Sequence, residues 1–146
     1  MVKIQRFEEI EAWRVARELT RAIYSVTSEG AFSRDFALRD QIRRAAISVM
    51  SNIAEGFDSG SKAEFIHFLS YARRSASEVQ SHLYVVLDQG YIAQEVFSNL
   101  YEQTQTIRRM VTSFMKYLRA EQASRRLGSL TREPANPRTR ALRSVS

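Results

Sequence analysis

Six arginines stand as three consecutive pairs, Arg43-Arg44, Arg73-Arg74 and Arg108-Arg109, and three more, Arg14, Arg17 and Arg21, recur at helical spacing. A guanidinium is planar, stays charged and donates two parallel hydrogen bonds, which suits it to phosphate. Consecutive residues of a helix diverge by about 100°, so no pair forms one flat patch. Salt bridges to acids of the same chain are the plainer use of these groups; contact with a polyanion is the sharper one.

Other chemistry finds less support. His67 and His82 lie roughly four turns apart on one helix and cannot share a metal. Ser75, Glu78 and His82 fall near one side of that helix. The serine and histidine are nevertheless about 10 Å apart, beyond the hydrogen-bond reach of a nucleophile and its base. The chain has no cysteine, which excludes thiolate metal sites, disulfides and cysteine nucleophiles. Gly56-Phe57-Asp58-Ser59-Gly60 lacks the lysine of a phosphate loop. We therefore expect no enzyme, no metal and no cofactor. A polar line, Gln41, Ser48, Asn52 and Glu55, runs beside an apolar stripe, with Ser75 and Glu78 as facing partners. An interhelical network is the expected role, ahead of a ligand site.

The elements that must position these residues are helices. The apolar period is 3.6, proline is absent from residues 1–133, and glycines punctuate the pattern at 30, 56, 60, 90 and 128. Helix 1 (8–28) shows Ile10, Trp13, Ala16, Thr20, Ile23 and Val26 or Thr27. Helix 2 (36–56) shows Leu38, Ile42, Ala45, Ala46, Val49 and Ile53. Helix 3 (62–89) opens with the capping box Ser61-Lys62-Ala63-Glu64 and continues through Phe65, Phe68 or Leu69, Ala72, Ala76, Val79, Leu83 and Val86 or Leu87. Helix 4 (93–124) runs Phe97, Leu100, Thr104, Ile107, Val111, Phe114 and Leu118. Short connections make neighbours antiparallel, so the predicted fold is an all-α, up-down-up-down four-helix bundle. Its 146 residues, 44% hydrophobic and 26% charged, suit a single globular domain.

The net charge of +6 is concentrated at one end. Residues 125–146 hold six arginines, beginning with Arg125 and Arg126, against Glu133 alone, whereas residues 1–124 carry sixteen bases and fifteen acids. With both prolines and few large apolar groups, 125–146 is expected to be a disordered, Arg-rich tail behind a 1–124 bundle. No segment has the length of a membrane span and no signal peptide opens the chain, so a cytoplasmic protein without membrane contact is expected.

Ile47 and Met50 extend the apolar arc of helix 2, and Tyr71 and Val85 project from helix 3 beside small serines. An arc this wide marks a subunit interface and hence a homo-oligomer.

Gln41-Ile42-Arg43-Arg44-Ala45-Ala46-Ile47-Ser48-Val49, leading to Asn52-Ile53-Ala54-Glu55-Gly56, resembles the signature of bacterial four-helix bundle proteins encoded in intervening sequences of 23S ribosomal RNA genes. Phe7, Trp13, Phe65, Phe68-Leu69, Ala72, Ser75 and Glu78 support the likeness, which covers roughly residues 7–120. The resemblance implies a homopentamer with a central channel. It also implies similarity to the accessory variability determinant of diversity-generating retroelements, a basic pentamer that binds nucleic acid and a reverse transcriptase. Two features depart from the pattern: the loop Ala31–Leu38 lacks the usual Phe-Pro and Gly-Leu, and the tail lies beyond the match. On the motif positions, Asn52 and Glu55 are expected to tie helices together, Gly56 to end helix 2, and Arg43 and Arg44 to meet phosphate. Arg73, Arg74, Arg108, Arg109, Arg125 and Arg126 complete the candidate nucleic-acid-binding set. The expected function is noncatalytic, oligomeric binding of nucleic acid with little sequence preference. A protein-interaction scaffold, for example for a reverse transcriptase, is the alternative.

Overall fold

A computed structural model describes residues 3–131, with side chains through residue 129. After a 3-10 turn at Phe7–Glu9 come α1 (Glu11–Thr27), a second 3-10 turn (Gly30–Arg34), α2 (Phe36–Asp58), α3 (Lys62–Asp88) and α4 (Gln94–Thr131). The described residues contain no strand. Contacts run in opposite directions along each neighbouring pair. Thr20 meets Ala46 while Thr27 meets Arg43, and Gln80 meets Gln105 while Arg73 meets Thr112. The helices are therefore antiparallel neighbours in the order α1, α2, α3, α4, as the short connections predict.

Two helices are started by side chains that satisfy orphan amides. Asp35 accepts from Leu38 N at 3.3 Å, and Ser61 Oγ accepts from Glu64 N at 3.1 Å, the forward bond of the capping box. Gly60, at φ +83°, makes the turn into α3 in a conformation that a Cβ would strain.

The core follows the predicted stripes on α2 and α3 closely. Leu38, Ile42, Ala45, Ala46, Val49 and Ile53 pack against Phe65, Leu69, Ala72, Ala76, Val79, Leu83 and Val86. On α1 the buried line is turned by one residue: Ala12 and Leu19 go inside, while Trp13 and Thr20 are half-buried. Leucine offers more apolar area than threonine, and Trp13 instead meets Phe7 edge-on at 5.1 Å. On α4, Met115 takes the buried position predicted for Phe114.

Gly56 departs from its predicted role. It is buried inside α2, which continues to Asp58. A Cβ there would stand 2.8 Å from Phe68 Cβ and 2.9 Å from Phe65 Cδ1, so the missing side chain lets α2 and α3 approach closely.

α4 is also longer than predicted. It spans 38 residues and passes through Arg125, Arg126 and Gly128. A lone glycine costs a helix about 1 kcal/mol without ending it. The stretch 125–131 of the expected tail is therefore helical; 132–146 lies outside the described residues.

One end of the bundle is fastened by Tyr91, which follows α3. Its ring stacks on buried Phe32 at 5.1 Å and its hydroxyl donates to Asp35 Oδ2 at 3.0 Å. The unusual loop before α2 is thereby joined to the loop before α4.

Candidate nucleic-acid interface

Each mid-helix arginine pair splits, as the 100° divergence requires. Arg43 reaches across to the end of α1: Nε donates to Thr27 Oγ1 at 2.8 Å and Nη2 to Ser28 Oγ at 3.2 Å. Its guanidinium carbon lies 4.3 Å from the Tyr24 ring centroid. Arg73 donates to Thr112 Oγ1 at 3.4 Å. Arg108 Nη1 donates to Gln80 Oε1 and Gln105 Oε1, both at 3.2 Å, and Gln80 Nε2 donates to Gln105 Oε1 at 2.9 Å. These three arginines are half-buried and aim at neighbouring helices. The second member of each pair faces out. Arg44 and Arg74 are exposed, and Arg109 forms an exposed pair with Glu102 at 3.3 Å. Arg125 and Arg126 are exposed on the last turns of α4.

A second basic surface lies on α1, outside the set of paired arginines. Arg14, Arg17 and Arg21 occupy its solvent face at spacings of three and four and are all exposed. Ion pairs among the described residues use Arg6, Arg39, Lys62, His82 and Arg109, but none of these three. Arg14 Nε donates to Glu8 O at 2.7 Å, and the Arg17 guanidinium carbon lies 5.9 Å from the Trp13 ring centroid. Together with Trp13, Glu8 and Glu18 they line a depression of about 400 Å³. One turn beyond Arg21 is exposed Tyr24, on which Arg43 stacks. The basic line therefore crosses from α1 to α2. Its spacing is legible in the sequence; what that spacing conceals is which arginines are already engaged inside the fold.

Of the polar line of α2, Ser48 is the residue that reaches α3, and Asn52, expected to tie helices itself, bonds within α2. Ser48 Oγ and Ser75 Oγ are 2.8 Å apart, and Asn52 Nδ2 donates to Ser48 O at 2.8 Å and Ser48 Oγ at 3.0 Å. Asn52 thus acts through Ser48. Glu55 corrects its expectation: it is exposed and makes no hydrogen bond or ion pair among the described residues, because its position on the helix points to solvent. Gln41, Arg44, Ser48 and Glu78 surround a cleft of about 270 Å³. Ser75 pairs with Ser48, whereas His82 lies 3.3 Å from Glu78, so the serine and histidine have separate partners. Among the described residues no group of three or more His, Asp and Glu side chains could hold a metal ion. No helix there is long and apolar enough to cross a membrane.

Three of the four residues expected at a subunit interface are exposed: Ile47 at 40%, Tyr71 at 38% and Val85 at 44%. Met50 is the exception. It is half-buried, packs against the core and lies 3.4 Å from Thr20 Oγ1, so it belongs to the α1–α2 contact.

Residues 8–113 match the family of 23S rRNA-intervening sequence proteins. A crystal structure of a protein of unknown function, from the S23 ribosomal protein family of Bacteroides thetaiotaomicron VPI-5482, has the same fold with a TM-score of 0.66. Its sequence is 24% identical, and the match covers 72% of this chain and 95% of that one. No curated protein matches.

Proposed function

We propose, from the premise that the chain belongs to the 23S rRNA-intervening sequence protein family, that it is a noncatalytic, oligomeric nucleic-acid-binding protein. The observation that carries this reading is the exposed line Arg14, Arg17 and Arg21, which make no ion pair among the described residues. Arg44, Arg74, Arg125 and Arg126 add outward charge. Arginine contacts to the phosphate backbone carry no sequence information, so the partner is RNA or DNA with little sequence preference. Ile47, Tyr71 and Val85 supply apolar area for self-association, in the homopentamer that the family resemblance implies. Oligomerisation repeats the basic line around one particle and multiplies its attraction for a polyanion. The protein works in the cytoplasm. A scaffold for another protein, such as a reverse transcriptase, is the second reading, favoured by the same exposed apolar groups.

The test is salt-titrated binding of labelled structured RNA and duplex DNA to the full chain and to an Arg14→Gln/Arg17→Gln/Arg21→Gln variant of verified oligomeric mass. Loss of three phosphate contacts should reduce the slope of log K against log salt by about two to three. Unchanged affinity and slope would remove α1 from the interface. No binding by either form at low salt would favour the scaffold.

A further inference from the structure

The bundle end opposite Tyr91 is not closed in the same way. Four aromatic rings from three helices stand in series there: Phe57 to Phe65 at 6.1 Å, Phe65 to Phe114 at 5.2 Å, and Phe114 to Tyr117 at 6.2 Å between centroids. Phe65 is buried, Phe57 and Phe114 are half-buried, and Tyr117 is exposed. With Ile4 and Leu118 they line a cleft of about 700 Å³, a size typical of small-molecule sites. This apolar lining is unlike the charged depression on α1.

The rim is polar and predominantly positive. Lys3, Lys62 and Arg125 surround the cleft with Glu121 as the acid among them. Lys62 pairs with Glu121, which also accepts from the Tyr117 hydroxyl at 2.7 Å. The one carboxylate is held by Lys62 and Tyr117, and the charge of Arg125 also acts on it. Lys3 and Arg125 are exposed and make no direct ion-pair contact among the described residues.

We infer that this cleft binds an amphipathic organic monocarboxylate, with its aromatic or short acyl tail on the rings and its head group at Lys3 and Arg125. Two features select this class. The ring floor favours removal of apolar surface from water and offers few hydrogen-bond partners for a polar heterocycle. The rim favours an anion over a cation by its excess of positive charge. The site shares Arg125 with the outward charge of the basic surface but lies apart from the α1 arginines, so the Arg14/Arg17/Arg21 variant tests nucleic-acid binding without touching it.

The test is calorimetric titration of the full chain with 2-naphthoate, its neutral analogue 2-naphthalenemethanol, and adenosine monophosphate. A Lys3→Gln/Arg125→Gln variant leaves the Lys62–Glu121 pair in place. Saturable binding of naphthoate is expected, with the alcohol and the nucleotide at least about fivefold weaker. The variant should lose about fivefold for naphthoate and little for the alcohol, as two exposed charge contacts would give. No saturable naphthoate binding overturns the proposal, as does equal binding of the alcohol. Binding of the nucleotide as tightly as naphthoate would overturn the assignment of the tail. An unchanged variant with native circular dichroism would overturn the assignment of the head group.

Discussion

Replacing Gly56 with alanine tests the close approach of α2 and α3. An ideal Cβ at this position lies 2.8 Å from Phe68 Cβ, 2.9 Å from Phe65 Cδ1 and 3.3 Å from Phe65 O. Ordinary carbon contacts begin at about 3.5 Å. The Phe65 ring can turn, but Phe68 Cβ and Phe65 O are fixed to α3, so the helices must part by several tenths of an ångström. Overpacking of this kind costs about 1–3 kcal/mol. Alanine returns about 1 kcal/mol through its better helix propensity. The 2.8 Å contact, well inside van der Waals range, places the cost near the top of that span, so the net loss should be about 2 kcal/mol, or roughly 6–7 °C in Tm for a chain of this length. Urea unfolding followed by far-UV circular dichroism, at one protomer concentration, measures it. Gly128→Ala is the control: Gly128 is helical and nothing lies within 4 Å of its Cβ position, so stability should be unchanged or slightly higher. A Gly56→Ala protein as stable as the parent would refute close approach as the reason for this glycine.

The remaining predictions concern side chains that join elements. A double-mutant cycle on Ser48→Ala and Ser75→Ala should give a coupling of about 0.5–1.5 kcal/mol; additive effects would show that their 2.8 Å contact contributes nothing. Arg43→Ala should lower stability by about 1–2 kcal/mol through the lost bonds to Thr27 and Ser28 and the Tyr24 contact. An equal effect from Arg44→Ala would contradict the split of the pair. The Tyr91 hydroxyl is held above its usual range of 10.0 first by its bond to Asp35 and then by desolvation and the nearby charge. Its contribution is complete below pH 10 and should fade as pH rises through the raised value, a loss that Tyr91→Phe removes from the alkaline stability profile. Glu121 is held below 4.5 by its bonds from Lys62 and Tyr117. Its contribution is present above that pH and should fade on acidification through the lowered value, and Glu121→Gln should flatten that limb of the unfolding curve.

Periodicity makes α2 and α3 legible because their core stripes are made of strongly apolar residues at regular steps. It blurs α1, where Trp13 and Leu19 both qualify as core and only the neighbouring helix decides between them. Gly56 shows a different limit. A glycine serves either a positive φ or a close approach, and the clashing groups, on Phe65 and Phe68, belong to the next helix. The same limit governs the arginine pairs. Their divergence is readable from helical geometry, but that Arg43 finds Thr27, and Arg108 finds Gln80, depends on the register between helices. The continuation of α4 past Gly128 is hidden because composition there resembles a tail while each residue still tolerates a helix.

The Tyr91 fastening and the open ring-lined cleft lie at opposite ends of the bundle, so resistance to opening is graded along its long axis. Where Phe32, Asp35 and Tyr91 bind two loops to each other, local separation of a helix must break stacking and hydrogen bonding together. At the other end α4 runs into exposed turns that can fray singly. Amide hydrogen exchange should therefore sweep along α4, quickest at its last turns and slowest in the buried register of Thr104 and Ile107. A lengthwise gradient of this kind gives the bundle a stiff pole and a compliant one.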